Sequence, residues 1–171
     1  VRVGSYNESG SAVTGASMSV GAWHHLALVR SSTTSLQGYI DGSAIGSAVT
    51  TNVSTRSATQ REVYGVLYQT DFRAHCSIAA IKGWQAALSA SEIAAEMDQY
   101  DPVRSANLVH YVPAYTGTLS EQLVATTGTD LVSYDTPTTD ADGPAITAPG
   151  GGGASANMPA ISFHRAQHGM Q

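Results

Sequence analysis

The sequence predicts an all-β fold, built of antiparallel strands with one short helix, and three observations carry that expectation. The first is a ribbon. Gly21-Ala22-Trp23-His24-His25-Leu26-Ala27-Leu28-Val29-Arg30 is an apolar strand candidate, the polar run Ser31 to Ser35 turns the chain, and Leu36 to Ile40 returns and stops at Asp41-Gly42. Asp-Gly is a strong turn signal because glycine takes φ > 0 without steric cost, so two strands and two turns describe an antiparallel hairpin. The second is composition. Charged residues make up 12% of the chain, about half the roughly 25% usual in soluble proteins. Ser, Thr, Ala and Gly fill the gap, which suits strands and turns more than helices. The third is a single change of period, at Leu88 to Met97.

Taken in order, Val1 to Tyr6 reads as a short strand and Asn7 to Ser11 as a polar turn, with a second extended piece ending near Val20. After the ribbon, Ala44 to Val53 continues in the same style, with Ile45 and Val49 spaced by small residues. Arg61 to Tyr68 alternates as a strand and closes at Thr70-Asp71. His75 to Trp84 carries apolar residues on both faces, the pattern of a strand covered on both sides. Ser89 followed three residues later by Glu92 is a capping box, and Ile93 and Met97 share one face of the helix that follows. Asp101-Pro102 is expected to end it. Asn107 to Tyr115 and Leu131 to Tyr134 are further strand candidates, while Leu119 to Thr129 reads equally as helix or strand, and Pro137 to Pro144 is rich in turn residues.

Residues 1–147 are thus expected to form one domain, 148–157 a Gly-rich linker, and 158–171 a C-terminal tail able to dock on a neighbour. The chain begins at Val1 rather than methionine and shows no signal peptide, so either N-terminal processing or a longer parent polypeptide is expected. No apolar run approaches the ~20 residues of a membrane helix.

Composition also excludes function classes. With 8 Lys+Arg against 13 Asp+Glu, a net charge of −5 and Lys82 as the one lysine, the chain has no footprint for nucleic acid. A single cysteine, Cys76, forbids an intrachain disulfide, and its apolar neighbours Ser77 to Ile81 make it a small core residue rather than a nucleophile. The sequons at Asn7 and Asn52 arise readily by chance in a Ser/Thr-rich chain and carry no argument.

The ribbon Trp23 to Arg30, followed by Tyr39-Ile40-Asp41-Gly42, resembles the tryptophan-led ribbon of laminin-G-like, concanavalin A-like domains. Ile81-Lys82-Gly83-Trp84-Gln85-Ala86-Ala87-Leu88-Ser89-Ala90-Ser91-Glu92-Ile93 resembles the closing segment of the same family. The two occur in the family's order over roughly residues 20–98. The resemblance implies an antiparallel jelly-roll sandwich with Trp23 and Trp84 in its core. Such domains usually carry several strands ahead of the tryptophan, and only 22 residues precede it here. The missing strands are expected from a longer parent chain or from partner subunits, since a jelly roll short of strands exposes sheet edges; otherwise the sandwich is abbreviated, with strands from residues 107 to 146 filling in.

Jelly rolls that hydrolyse glycans hold two carboxylates at alternate spacing, one as acid and one as nucleophile or base. No Glu-x-Asp-x-x-Glu pattern occurs; Glu92 and Glu96 read as the solvated face of the helix, and Glu121 is isolated. His24 and His25, adjacent on a strand, point to opposite faces and cannot share an ion. His75, His110, His164 and His168 show no ligand spacing. No Gly-x-Ser-x-Gly elbow is present, so no serine nucleophile is expected.

The resemblance also implies calcium, which related domains often hold through Asp and backbone carbonyl oxygens. Asp41, Asp71 and Asp135 offer oxygens of this kind, and Asp140 and Asp142 (an Asp-x-Asp-Gly) are the candidate ligands, with turn chemistry the simpler reading of the same residues. Glycan binding needs aromatic platforms, for which Tyr64, Tyr68, Tyr111 and Tyr115 are the candidates. The expectation is a non-catalytic, extracellular or virion-surface protein that decorates or assembles with other protein subunits and binds glycans. It needs no cofactor other than a candidate calcium ion and enters no membrane. The alternatives are a carbohydrate-binding module of a larger secreted or cell-surface protein and, behind it, a relative of the glycoside hydrolases.

Overall fold

The computed structural model describes residues 17–32, 34–49, 76–114 and 122–130, together with the backbone of strands at 2–4, 12–14, 138–140, 145–147, 155–157 and 160–163. The chain divides into two compact units, Val1–Gln60 with Trp84–Asn107, and Arg61–Gly83 with Leu108–Gln171.

In the first unit, β1 (Arg2–Gly4) pairs antiparallel with β2 (Ala12–Thr14), Val3 opposite Val13. The expected ribbon forms β3 (Leu26–Ser32) and β4 (Ser35–Ile40), and β5 (Ser43–Val49) adds a third antiparallel strand in the order β3-β4-β5. Leu26 faces Ile40 and Leu28 faces Gly38 across the first pair. β4 alternates with period two, Leu36, Gly38 and Ile40 being buried and Ser35, Gln37 and Tyr39 half-buried. Ile40 and Ile45 form the nucleus of this unit's core, with Met18 and Val49 packed against them.

The β4–β5 turn is Asp41-Gly42, with φ of +48° and +73°. Two consecutive positive φ angles define the type I′ turn, whose twist matches that of the flanking strands. Gly42 is also approached from outside the sheet: a Cβ there would stand 3.6 Å from the Ala94 Cβ.

Ala94 belongs to α1 (Ala90–Met97), which starts on the capping box read from the sequence. Glu92 N–H donates to Ser89 Oγ at 3.3 Å, and Ser89 N–H donates to Glu92 Oε2 at 2.8 Å. Ile93 is buried and Met97 half-buried, as their common face requires. The helix ends at Met97, before the Asp101-Pro102 stop, and Tyr100 beyond it is fully buried.

Glu96 is a correction. Read from the sequence as solvated, it is 4% exposed. The segment after α1 folds back over it, and Arg104 N–H donates to Glu96 Oε1 at 2.8 Å. Arg104 Nη1 also reaches Glu92 Oε1 at 2.9 Å, while its carbonyl accepts from Trp84 Nε1 at 2.7 Å. Both tryptophans are half-buried rather than enclosed.

In the second unit the expected strand His75 to Trp84 is two strands, β6 (Cys76–Ile78) and β7 (Ile81–Trp84). The break falls at Ala80, whose φ of +52° turns the chain and whose N–H donates to Pro113 O at 2.9 Å. β7 pairs with β8 (Leu108–Val112). Ile81, Val112 and Ala114 form a core cluster, with Ile78, Leu123 and Ala125 packed on it. Within the stretch that read equally as helix or strand, Thr126 and Thr127 lie against β8: Tyr111 N–H donates to Thr127 O and Thr126 N–H to Tyr111 O, each at 2.8 Å.

The remaining strands are β9 (Thr138–Asp140), β10 (Ala145–Thr147), β11 (Ser155–Asn157) and β12 (Ala160–Phe163). β10 and β11 pair antiparallel, so residues 155–157 of the stretch read as linker are strand. Four residues of the stretch read as a tail form β12, which lies between β6 and β9 with Phe163 opposite Cys76 and Ala160 opposite Asp140. The strand expected at Leu131 to Tyr134 lies outside the described residues. No helix among the described residues is long and apolar enough to cross a membrane.

Candidate functional site at the Asp41 turn

The residues leading into β3 and the turn leaving β4 meet at one end of the ribbon. Because β3 starts at Leu26, His24 and His25 lie ahead of the strand and are not bound to its alternation. The type I′ turn holds the Asp41 carboxylate against both. Asp41 Oδ2 lies 2.8 Å from His24 Nδ1, and Oδ1 accepts the His25 N–H at 2.9 Å. The other ring nitrogen, His24 Nε2, lies 2.9 Å from Ser19 Oγ. The Asp41 N–H closes the arrangement by donating to His25 O at 2.9 Å.

Burial pushes the Asp41 carboxyl upward. The hydrogen bonds from His24 and the His25 N–H outweigh it and hold the group below its ordinary value. Asp41 is therefore an ionised acceptor at neutral pH. An acceptor-only carboxylate fixes the tautomer: His24 Nδ1 carries the proton and donates, leaving Nε2 to accept from the Ser19 hydroxyl.

Sequence reasoning missed this cluster. Ser19, His24 and Asp41 obey no motif spacing, and they meet only because the turn returns the chain to where the ribbon began. The Asp-Gly turn was the single local signal.

The residues singled out from sequence fall elsewhere. Tyr111 is a correction: at 5% exposure in β8 it belongs to the core of the second unit and has no free ring face on which a sugar could stack. Tyr64, Tyr68 and Tyr115 lie outside the described residues, as do Asp71, Asp135 and Asp142. Asp140 is the last residue of β9. Asp41 does not fit a calcium ligand, since both its oxygens are engaged by His24 and His25 and, among the described residues, no second carboxylate joins it. Among the described residues, no three His, Cys, Asp or Glu side chains converge on a metal position. Cys76 is half-buried, and burial raises its thiol above the ordinary range, the opposite of what a reactive thiolate needs.

Antiparallel strands, one capped helix and a tryptophan-led ribbon define a concanavalin-like all-β protein. The chain belongs to the concanavalin A-like lectin/glucanases superfamily, whose family model matches residues 1–94. That span takes in both the ribbon and the segment through the first turn of α1, the two pieces that carry the resemblance. Neither the curated proteins nor the solved structures yield a match.

Proposed function

We propose that this protein is a recognition and assembly module, non-catalytic toward the glycans it holds, displayed outside a cell or on a virion surface, where it decorates a larger structure. Membership of a superfamily of lectins and glucanases is the observation that carries this reading. The choice of binding over glycosidic bond cleavage is supported by the carboxylates. Glu92 is committed to the helix cap and to Arg104, and Glu96 is buried beneath the Arg104 backbone. Neither is one of a spaced pair open to a sugar ring.

In this reading the strands close into the two layers of a jelly roll, completed by other subunits or by a parent polypeptide. Glycan contacts are assigned to the tyrosines Tyr64, Tyr68 and Tyr115. Binding needs no cofactor, with calcium at Asp140 and Asp142 the one exception to be tested.

A glycan array probed with the purified chain, with and without EDTA, tests recognition, and sedimentation of the native assembly tests the coat role. Retention on a subset of glycans, unchanged by EDTA, is the expected result; loss with EDTA that Asp140→Asn and Asp142→Asn reproduce assigns those two residues to calcium. A uniformly blank array from a chain that sediments as a monomer rejects the proposal.

A further inference from the structure

The polar chain at the ribbon's end runs Asp41 Oδ2, His24 Nδ1, His24 Nε2, Ser19 Oγ, with spacings of 2.8 and 2.9 Å. This is the order and spacing by which a carboxylate orients an imidazole and the imidazole removes a proton from a hydroxyl. Three further features separate it from a chance surface contact. Asp41 is pinned through its second oxygen by the His25 N–H and by the turn backbone, so its aim does not depend on side-chain freedom. The His24 side chain is only 14% exposed, which holds the ring in place, while the Asp41 side chain is 48% exposed. Ser19 is exposed, Val20 beside it is fully so, and among the described residues nothing stands within 4 Å of the Cβ position of Gly21. The nucleophile position opens to solvent, with room beside it for an incoming molecule.

We propose that Ser19 is a nucleophilic serine, with His24 as its general base and Asp41 as the positioning residue, reactive toward carboxylic esters. This goes beyond the binding role proposed above and does not depend on it. Ser19 Oγ adds to the ester carbonyl carbon while its proton passes to His24 Nε2. The tetrahedral adduct collapses with cleavage of the C–O bond, and the departing alcohol takes that proton, leaving an acylated serine and neutral His24. Water then repeats the sequence: its proton goes to Nε2, its oxygen bonds the acyl carbon, and Ser19 Oγ leaves as a hydroxyl, releasing the carboxylic acid. Because substrate binding would rest on an open surface, esters with good leaving groups are the expected class.

The test is labelling of the full chain by an alkyl fluorophosphonate, in which Ser19 Oγ displaces fluoride at phosphorus and HF is lost to the buffer, followed by mass-spectrometric mapping. Ser47, an exposed serine on β5 of the same sheet, is the internal reference. Expected are labelling of Ser19 well above Ser47, its loss in Ser19→Ala, and a fall of about a hundredfold in rate in His24→Gln, the low end of what a positioned general base supplies. Release of p-nitrophenol from p-nitrophenyl acetate should fall in parallel. Equal labelling of Ser19 and Ser47 in the unaltered chain overturns the proposal, and so does a folded His24→Gln variant that labels at the parent rate. The first comparison needs no variant, so it decides the matter even if His24→Gln fails to fold.

Discussion

Asp41 does two jobs with one carboxylate, and its protonation equilibrium exposes both. Its hydrogen bonds to His24 and His25 exist for the ionised form, and they hold the folded-state carboxyl below its ordinary value. The folded chain thus binds that proton less tightly than the unfolded chain does. The stability gained is complete above the ordinary carboxylate range and drains away as pH falls through the lowered value. Asp41→Asn should therefore melt below the parent near neutrality, with the gap closing in acid; thermal melts at both conditions read this, and a pH-independent gap would count against it. Gly128 is the other telling residue. It sits at φ +92° where a Cβ would stand 2.7 Å from Val109 O. Gly128→Ala must pay a left-handed backbone cost of order 1–3 kcal/mol plus that backbone clash, so a loss of about 2 kcal/mol or more in a urea titration is expected. The Asp-Gly turn could be read from its two residues alone, because its chemistry is local. The Ser19–His24–Asp41 chain could not. Period-two reasoning places His24 on a strand that begins only at Leu26, and no local pattern shows a turn returning to its own approach segment.

At the scale of elements, α1 is short enough that its cap matters. An eight-residue helix has few internal bonds, and the reciprocal Ser89–Glu92 pair satisfies two of its orphan donors. Hydrogen bonds from Ser89, together with the Arg104 charge, also lower the Glu92 carboxyl. Ser89→Ala should cost about 1 kcal/mol of stability, read by chemical denaturation, and an unchanged midpoint would show that packing of Ile93 alone holds the helix. This element was legible to the residue at its start because capping is written in a four-residue motif. Its polar face was not. Glu92 and Glu96 lie four apart, the ordinary pattern of a solvated stripe, and only the return of Arg104 across the helix buries Glu96. The single strand expected from His75 to Trp84 failed for a related reason. Its apolar pattern continues through Ala79-Ala80, while the backbone breaks there to reach Pro113.

At the scale of the whole molecule, the family could be read from the ribbon and the Trp84 to Ile93 segment because both are contiguous stretches of sequence. The partners of the C-terminal strands could not, since pairing between distant segments leaves no local trace. β12 is the middle strand of β6-β12-β9, so removing residues 158–171 takes a partner from both flanking strands at once. That truncation should lower the thermal midpoint and expose the β6 and β9 amides to hydrogen exchange. Unaltered melting and exchange would show that β6 and β9 stand without it.

The place of β12 also sets a timetable. During synthesis Cys76–Ile78 emerges long before Ala160–Phe163, its antiparallel partner. β6 must wait through the making of every intervening element with an edge uncovered, and the loop that finally closes is among the longest in the chain. The β3-β4-β5 meander, by contrast, draws its strands from one continuous stretch and can assemble as it leaves the ribosome. One unit is built to nucleate early; the other holds its sheet open until Ala160–Phe163 has been made, and a chaperone that shields bare strand edges would act on that one.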